Sequence, residues 1–210
     1  GKEGLVVLSL LKEQRLRLPV LFLDTGYHFP ETLAYRDRIR EALDLQVVSL
    51  TPVEPVDDQD RRLGPALYRR DPDRCCRLRK VRPLQEALAG YDAWITGLRR
   101  DQSSHRASTP VVEWQSLGLA RGVFKVNPLA SWSRAAVDEF HAERGLPAHP
   151  LWDRGYRSIG CAPCTVPIRE GAGERTGRWP GTEKSECGIH DPGLRAPEEQ
   201  FVPVLAGPID

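Results

Sequence analysis

Two pairs of cysteines and one cysteine alone are the residues of this chain best suited to chemistry. Cys75 and Cys76 are adjacent, Cys161 and Cys164 are two residues apart, and Cys187 stands alone in Glu186-Cys187-Gly188-Ile189-His190. Four thiolates in two tight pairs are what one iron–sulfur cube or one metal ion takes. Cys-x-x-Cys lets two thiolates converge through a tight turn, which Gly160 and Pro163 suit. Neighbours on a helix point about 100° apart, so the adjacent pair suits separate irons of a cube better than one zinc. From spacing alone a cluster, a zinc site, a redox disulfide at Cys161 and Cys164, and unrelated thiols all remain open.

Cys187 has no cysteine nearby. Lys184 and His190 flank it, with Arg175 and Arg178 upstream. Nearby cations lower a thiol's pKa and populate the nucleophilic thiolate, and Gly188 permits an exposed turn. Lys80 lies four residues after Cys76 and so shares its helical face, where an ammonium would offset the negative charge of a thiolate-bound cluster. Arginines crowd at Arg99, Arg100, Arg106, Arg169, Arg175 and Arg178. That pattern suits a small polyanionic ligand better than a polymer.

With 210 residues the chain can form one domain with a sizeable core, or a domain plus a functional tail. Thirty Lys and Arg against 29 Asp and Glu leave a net charge of +1, which points to neither nucleic acid nor membrane as partner. No apolar run approaches the roughly 20 residues needed to span a bilayer, and no signal peptide opens the chain. A cytoplasmic protein is expected, where structural disulfides are rare and paired cysteines bind metal or do redox work. There is no Met, and the chain opens on Gly1-Lys2-Glu3-Gly4. The expectation is a fragment that lacks its true N-terminus.

The elements that must position these residues alternate. Residues 5–11 (LVVLSLL) read as a buried helix or a strand. Val20–Leu23 reads as a buried strand ending at Asp24-Thr25-Gly26, then a helix over 31–43 and a strand over 46–50. Residues 51–73, rich in Pro and Asp, mix loop with short helix. A helix over 76–88 stops near Gly90 as a C-terminal cap. Strands follow at 93–96, 111–114 and 123–126, and a helix capped by Ser133 runs to Arg144. This alternation predicts an α/β fold with a mainly parallel sheet flanked by helices, binding its ligand beyond the carboxyl ends of the strands. Residues 1–148 form that domain. From 149 to 190 periodicity fades, predicting an extended arm held by its cysteines, and 191–210 read as a flexible tail.

Several stretches resemble those of assimilatory sulfonucleotide reductases. They are Leu23-Asp24-Thr25-Gly26, Cys75-Cys76-Arg77-Leu78-Arg79-Lys80, Gly97-Leu98-Arg99-Arg100-Asp101-Gln102-Ser103, Asn127-Pro128-Leu129-Ala130, the run from Gly155 to Thr165, Gly177-Arg178-Trp179 and Glu186-Cys187-Gly188-Ile189-His190. The resemblance covers nearly all of residues 1–190, with the motifs in order. It departs where Trp179 is followed by Pro180-Gly181 rather than further aromatics, and only Gly1-Lys2-Glu3-Gly4 stands where a phosphate-type loop is expected.

The resemblance implies an adenine-nucleotide α-hydrolase-like fold and a homo-oligomer. Both cysteine pairs together mark the branch with a 4Fe-4S cluster, which would be held by Cys75, Cys76, Cys161 and Cys164. That branch reduces adenosine 5′-phosphosulfate with thioredoxin as electron donor. The 3′-phosphorylated nucleotide is the alternative substrate, ahead of a sulfur-inserting nucleic-acid enzyme or a zinc-binding module. Catalysis is implied for Cys187 as nucleophile through a thiosulfonate, with His190 and Lys80. Substrate binding is implied for Asp24, Thr25 and Gly26 at the adenosine and for Arg106, Arg175 and Arg178 at the phosphosulfate.

Overall fold

The computed structural model describes residues 1–118 and 121–191, so the expected tail lies, beyond Asp191, outside the described residues. The ambiguous apolar run belongs to helix α1 (Lys2–Glu13). Its Val6 and Val7 bury against Leu129, Val137 and Phe140, with Leu10 and Leu11 at the edge of the same cluster. That one-sided, helical-phase burial decides against a strand.

β1 (Val20–Leu23), α2 (Pro30–Leu43) and β2 (Val47–Leu50) form a βαβ unit whose strands pair in parallel. Residues 51–73 carry the short helices α3 (Val56–Leu63) and α4 (Leu67–Arg70), in line with a mixture of loop and helix. β3 (Ala93–Ile95) pairs in parallel with β5 (Arg121–Val126). β4 (Val112–Gly118) is longer than the sequence suggests and pairs antiparallel with β5. The parallel rule therefore holds for two of three strand pairs, and the hairpin is the exception. Leu84, Leu88 and Val123 bury together, with Leu21, Leu23 and Leu50 packed on them, so both sheet pieces close on one core. α7 (Arg134–Glu143) begins as expected, Ser133 Oγ accepting the Ala136 N–H at 3.1 Å.

The helix expected over 76–88 needs correction. It starts earlier, as α5 (Pro72–Cys76), passes through a π-helical turn (Arg77–Val81) and continues as α6 (Arg82–Leu88). Pro83 supplies the reason. A proline inside a helix lacks an N–H, and its ring collides with the carbonyl four residues back, here that of Arg79. A widened turn relieves that collision. Gly90 is not a left-handed cap either; the cap is Ala89 at φ −59°, within ordinary helical space.

From residue 149 the chain has little regular structure: a 3₁₀ turn (Ala162–Cys164) and an isolated bridge between Thr165 and Arg178. Among the described residues, no helix is long and apolar enough to cross a membrane.

Candidate active site

Asp71 begins the construction of the site. Its carboxylate accepts the Arg74 N–H at 2.9 Å and caps α5, with Pro72 in the first turn. This sets Cys75 and Cys76 at the end of α5, just before the π turn. From the other side, the 3₁₀ turn bends Cys164 back so that its N–H meets the Cys161 carbonyl at 3.0 Å. The Thr165 hydroxyl donates to that same carbonyl at 2.8 Å. Ala162 N–H binds the Tyr27 carbonyl at 2.7 Å, tying this loop to the turn after β1.

The two pairs meet. Cys75, Cys76, Cys161 and Cys164 line one small pocket with Tyr27, Tyr68, Arg79 and Lys80. All four thiols are free and buried. Burial, with repulsion from the other three sulfurs, pushes Cys75 up to about 12, and burial and Cys161 push Cys164 up to about 11. Such thiols hold their protons until a metal displaces them. Among the described residues no group of three or more His, Cys, Asp or Glu is set to hold a single metal ion.

Lys80 is 9 % exposed and belongs to this pocket. Burial alone would lower its pKa, but the sulfurs of Cys161, Cys76 and Cys187 outweigh it and raise the ammonium. Arg79 is buried beside it, giving hydrogen bonds to the Thr25 carbonyl (2.5 Å) and Gln59 Oε1 (3.1 Å).

Cys187 packs against Cys76, Cys161, Cys164 and Trp179. Trp179, which the sequence shows only as part of a motif, is the organiser here. Its ring lies beneath four cations: Arg178 at 4.5 Å, Lys184 at 5.5 Å, Arg175 at 5.9 Å and Lys80 at 6.0 Å. Arg178 reaches this position by lying across Gly160, where any Cβ would stand 2.2 Å from its Nη2. Glu186, likewise named only within a motif, receives both Arg106 Nε (2.8 Å) and Nη2 (2.7 Å), and Arg175 Nη2 at 3.0 Å. Burial alone would raise the Glu186 carboxyl, but the Arg106 bonds and the charges of Arg175 and Arg178 hold it below its ordinary value. Burial and the neighbouring Arg106 and Arg178 pull Arg175 down to about 10.

Positive charge therefore exceeds its local partners. The buried Nε atoms of Arg175 and Arg178 have no hydrogen-bond acceptor, nor does Trp179 Nε1. Unsatisfied buried donors are costly, and guanidinium groups suit sulfate and phosphate oxygens. A cleft of about 800 Å³ opens beside them, lined by Arg106, Lys125, Lys184, Glu186 and His190. That is within the size range of small-molecule sites.

Other expected site residues lie differently. Cys187, Lys80, Arg175 and Arg178 do not themselves line this cleft, and neither do Asp24, Thr25 and Gly26. Thr25 is buried with its hydroxyl 3.2 Å from Cys161 Sγ, and Asp24 accepts the Gly26 N–H. His190 is not one of the cations expected to flank Cys187. Burial drives its imidazole well below the ordinary value, helped by Lys125, Arg106 and Arg175, so it is neutral near pH 7. Arg99 leaves the ligand-binding group: it is 0 % exposed and saturated by Glu3, Asp101 and Glu174. Arg169 is exposed.

Residues 1–167 match the phosphoadenosine phosphosulfate reductase domain. The chain belongs to that family. Among its relatives is an adenosine 5′-phosphosulfate reductase of Streptomyces coelicolor, 50 % identical over 188 residues, covering 90 % of this chain and 78 % of the relative. The protein of the same name from Mycolicibacterium smegmatis is 46 % identical over 185 residues, covering 88 % and 77 %. In three dimensions the chain is similar to phosphoadenylyl-sulfate reductase from Candida auris, solved as a phosphate complex. The TM-score is 0.68 and the identity 31 %, over 79 % of each chain. The FMN adenylyltransferase of Candida glabrata shares the fold alone, at TM-score 0.59 and 18 % identity, over 80 % of this chain and 54 % of that one. The expected adenine-nucleotide α-hydrolase-like fold is borne out by these likenesses.

Proposed function

We propose that this chain reduces adenosine 5′-phosphosulfate to sulfite and AMP in the cytoplasm, as part of sulfate assimilation, with thioredoxin as reductant. The observation that carries the reading is the pair of acceptor-less guanidinium Nε atoms, on Arg175 and Arg178, in the cationic shell around Cys187. The names of the two bacterial relatives, at 50 % and 46 % identity, support the nucleotide chosen.

The physical task is to bring an anionic thiolate to an anionic sulfate. Two like charges about 4 Å apart repel by roughly 4 kcal/mol at an effective dielectric near 20. Arg175, Arg178, Arg106 and Lys80 offset that repulsion. Cys187 attacks the sulfate sulfur, the bond from that sulfur to the bridging phosphate oxygen breaks, and AMP leaves with the electron pair. The product is a thiosulfonate on Cys187. A thioredoxin thiolate then attacks the Cys187 sulfur and releases sulfite, and the second thioredoxin thiol resolves the mixed disulfide. The dithiol supplies the two electrons that take sulfur from sulfate to sulfite. Splitting the reduction this way replaces one hard step by two easier ones.

The donor set fits a 4Fe-4S cluster, for which Cys75, Cys76, Cys161 and Cys164 would be the ligands: four free, buried cysteines lining one pocket. A cube asks only that four sulfurs surround a shared volume, one per iron. When bound it supplies a fixed anionic anchor without changing oxidation state. Residues 149–190 would then act as the cluster-binding and catalytic arm, and Lys80, which feels the sulfurs of Cys161, Cys76 and Cys187, would offset the charge of the bound cluster. The proposal extends to a homo-oligomer, with Trp114 and Phe124 exposed on β4 and β5 as apolar surface.

Intact mass spectrometry after mixing with nucleotide tests the chemistry. The parent protein should gain a sulfonate and Cys187→Ser should gain none while still binding nucleotide; an adduct on the variant moves the nucleophile elsewhere. Iron and acid-labile sulfide should both be found after anaerobic purification, whereas zinc without sulfide overturns the cluster. The 3′-phosphorylated substrate is a second reading, favoured by the likeness to the Candida auris enzyme. Comparing kcat/KM for the two nucleotides decides between them.

A further inference from the structure

The segment carrying Cys187 is held from an unexpected direction. Lys125 of β5 donates through Nζ to the His190 carbonyl at 3.2 Å and is itself paired with Glu113 Oε1 at 2.8 Å. Gln115 of β4 donates through Nε2 to the Asp191 carbonyl at 3.0 Å, while its Oε1 accepts from Trp94 Nε1 at 3.1 Å. Trp94 of β3 stacks on the His190 ring, 5.8 Å between centroids and 10° between planes. Ile189 packs into the core cluster of Leu84, Leu88 and Val123.

Lys125 and Gln115 are 2 % and 1 % exposed. A buried ammonium and a buried amide are costly unless fully paired, and here part of each pairing is spent on a segment without regular structure. Three neighbouring strands thus contribute one side chain each to the two residues that follow Ile189. On the other side of Cys187, Arg106 holds Glu186. Gly188 lies between these anchors at φ +86°, a left-handed conformation that glycine adopts without cost.

We propose that Lys125 and Gln115 are positioning residues for Cys187: with Trp94 they latch His190 and Asp191 to the sheet and so fix the arc on which the thiol is presented. The inference rests on Cys187 being the reacting thiol. It adds residues from β3, β4 and β5, none of which lines the cysteine pocket.

The test uses cluster-loaded protein and the variants Gln115→Ala, Lys125→Met and Lys125→Arg. Iodoacetamide should alkylate Cys187 about tenfold faster in Gln115→Ala and Lys125→Met, the worth of one to two lost hydrogen bonds. With nucleotide, kcat of Gln115→Ala, whose side chain does not line the cleft, should fall by about the same factor while KM moves less than about threefold. Lys125→Arg keeps a donor and should be alkylated at a rate nearer the parent's than Lys125→Met. Unchanged alkylation and kcat in both weakened variants, or losses that only track the unfolded fraction, overturn the latch.

If the variants do not fold, hydrogen exchange in the parent decides. Slow exchange at 189–191, like that of β5, supports the latch, and exchange as fast as the exposed loop at 171–173 overturns it. Alkylation and exchange need no nucleotide. A parent that reduces no sulfonucleotide would sink the proposed function and leave the latch standing.

Discussion

Two groups of arginine in this molecule look alike in sequence and differ in what surrounds them. Arg99, at the junction of α1 with the arm, has no exposure and three carboxylates, two of them from distant parts of the chain. Arg175 and Arg178, beside Cys187, leave their Nε atoms without an acceptor, and among the described residues Glu186 is the carboxylate that pairs with Arg175 and Arg106. Saturation marks an arginine that holds the fold. Deficit marks one that waits for an anion. Counting arginines by sequence proximity cannot separate the two, because the deciding carboxylates, Glu3 and Glu174, lie 96 and 75 residues from Arg99.

The sharpest break of the comparison is to exchange consequences. Arg99→Met leaves the largely buried Glu3 and Glu174 carboxylates, and the exposed Asp101, without it and should cost about 3–5 kcal/mol of stability, read from urea unfolding. Arg178→Ala should lose roughly 2–3 kcal/mol of transition-state stabilisation, or about 30–100-fold in kcat/KM, with little change in the unfolding midpoint. A large stability loss in Arg178→Ala and none in Arg99→Met would invert the assignment.

The histidines sharpen it by pH. Burial holds His149 at about 4 and also lowers His28, His141 and His190. These sites stay neutral in the folded chain while the unfolded chain takes up protons below about 6.5. Stability should therefore fall as pH drops from 6.5 toward 4, by on the order of 2 kcal/mol for His149 alone. His149→Gln should flatten part of that slope in acid titrations of the unfolding midpoint, and an unaltered slope would remove His149 from the account. The smallest effect expected is at Gly160. A Cβ there would push the Arg178 guanidinium aside, so Gly160→Ala should cut kcat/KM by about tenfold, roughly 1.4 kcal/mol, with near-parent stability. Parent-like kinetics would mean the approach of Arg178 to Gly160 does not matter.

Much of the frame was legible. Val20–Leu23 and the Ser133 cap follow from local patterns of burial and side-chain bonding, and the cysteine pairs from spacing. The π turn was not, because Pro83 lies inside a run of otherwise good helical periodicity and only the collision with the Arg79 carbonyl reveals the break. The β4–β5 hairpin was not, since strand direction is set by pairing rather than by composition. Glu186 was quoted as part of a motif, yet its bonds to Arg106, 80 residues away, are visible only in space. The charge of His190 was misjudged for a similar reason: proximity in sequence to Cys187 says nothing about the indole stacked on it.

Glu186 immediately precedes Cys187, and that adjacency has a mechanical result. Swinging the sulfur outward also withdraws the carboxylate from Arg106 and Arg175, so the segment cannot leave without stripping two guanidinium groups of their counter-ion. An anion that pairs with those two guanidinium groups meets the protein's own side chain there as a competitor.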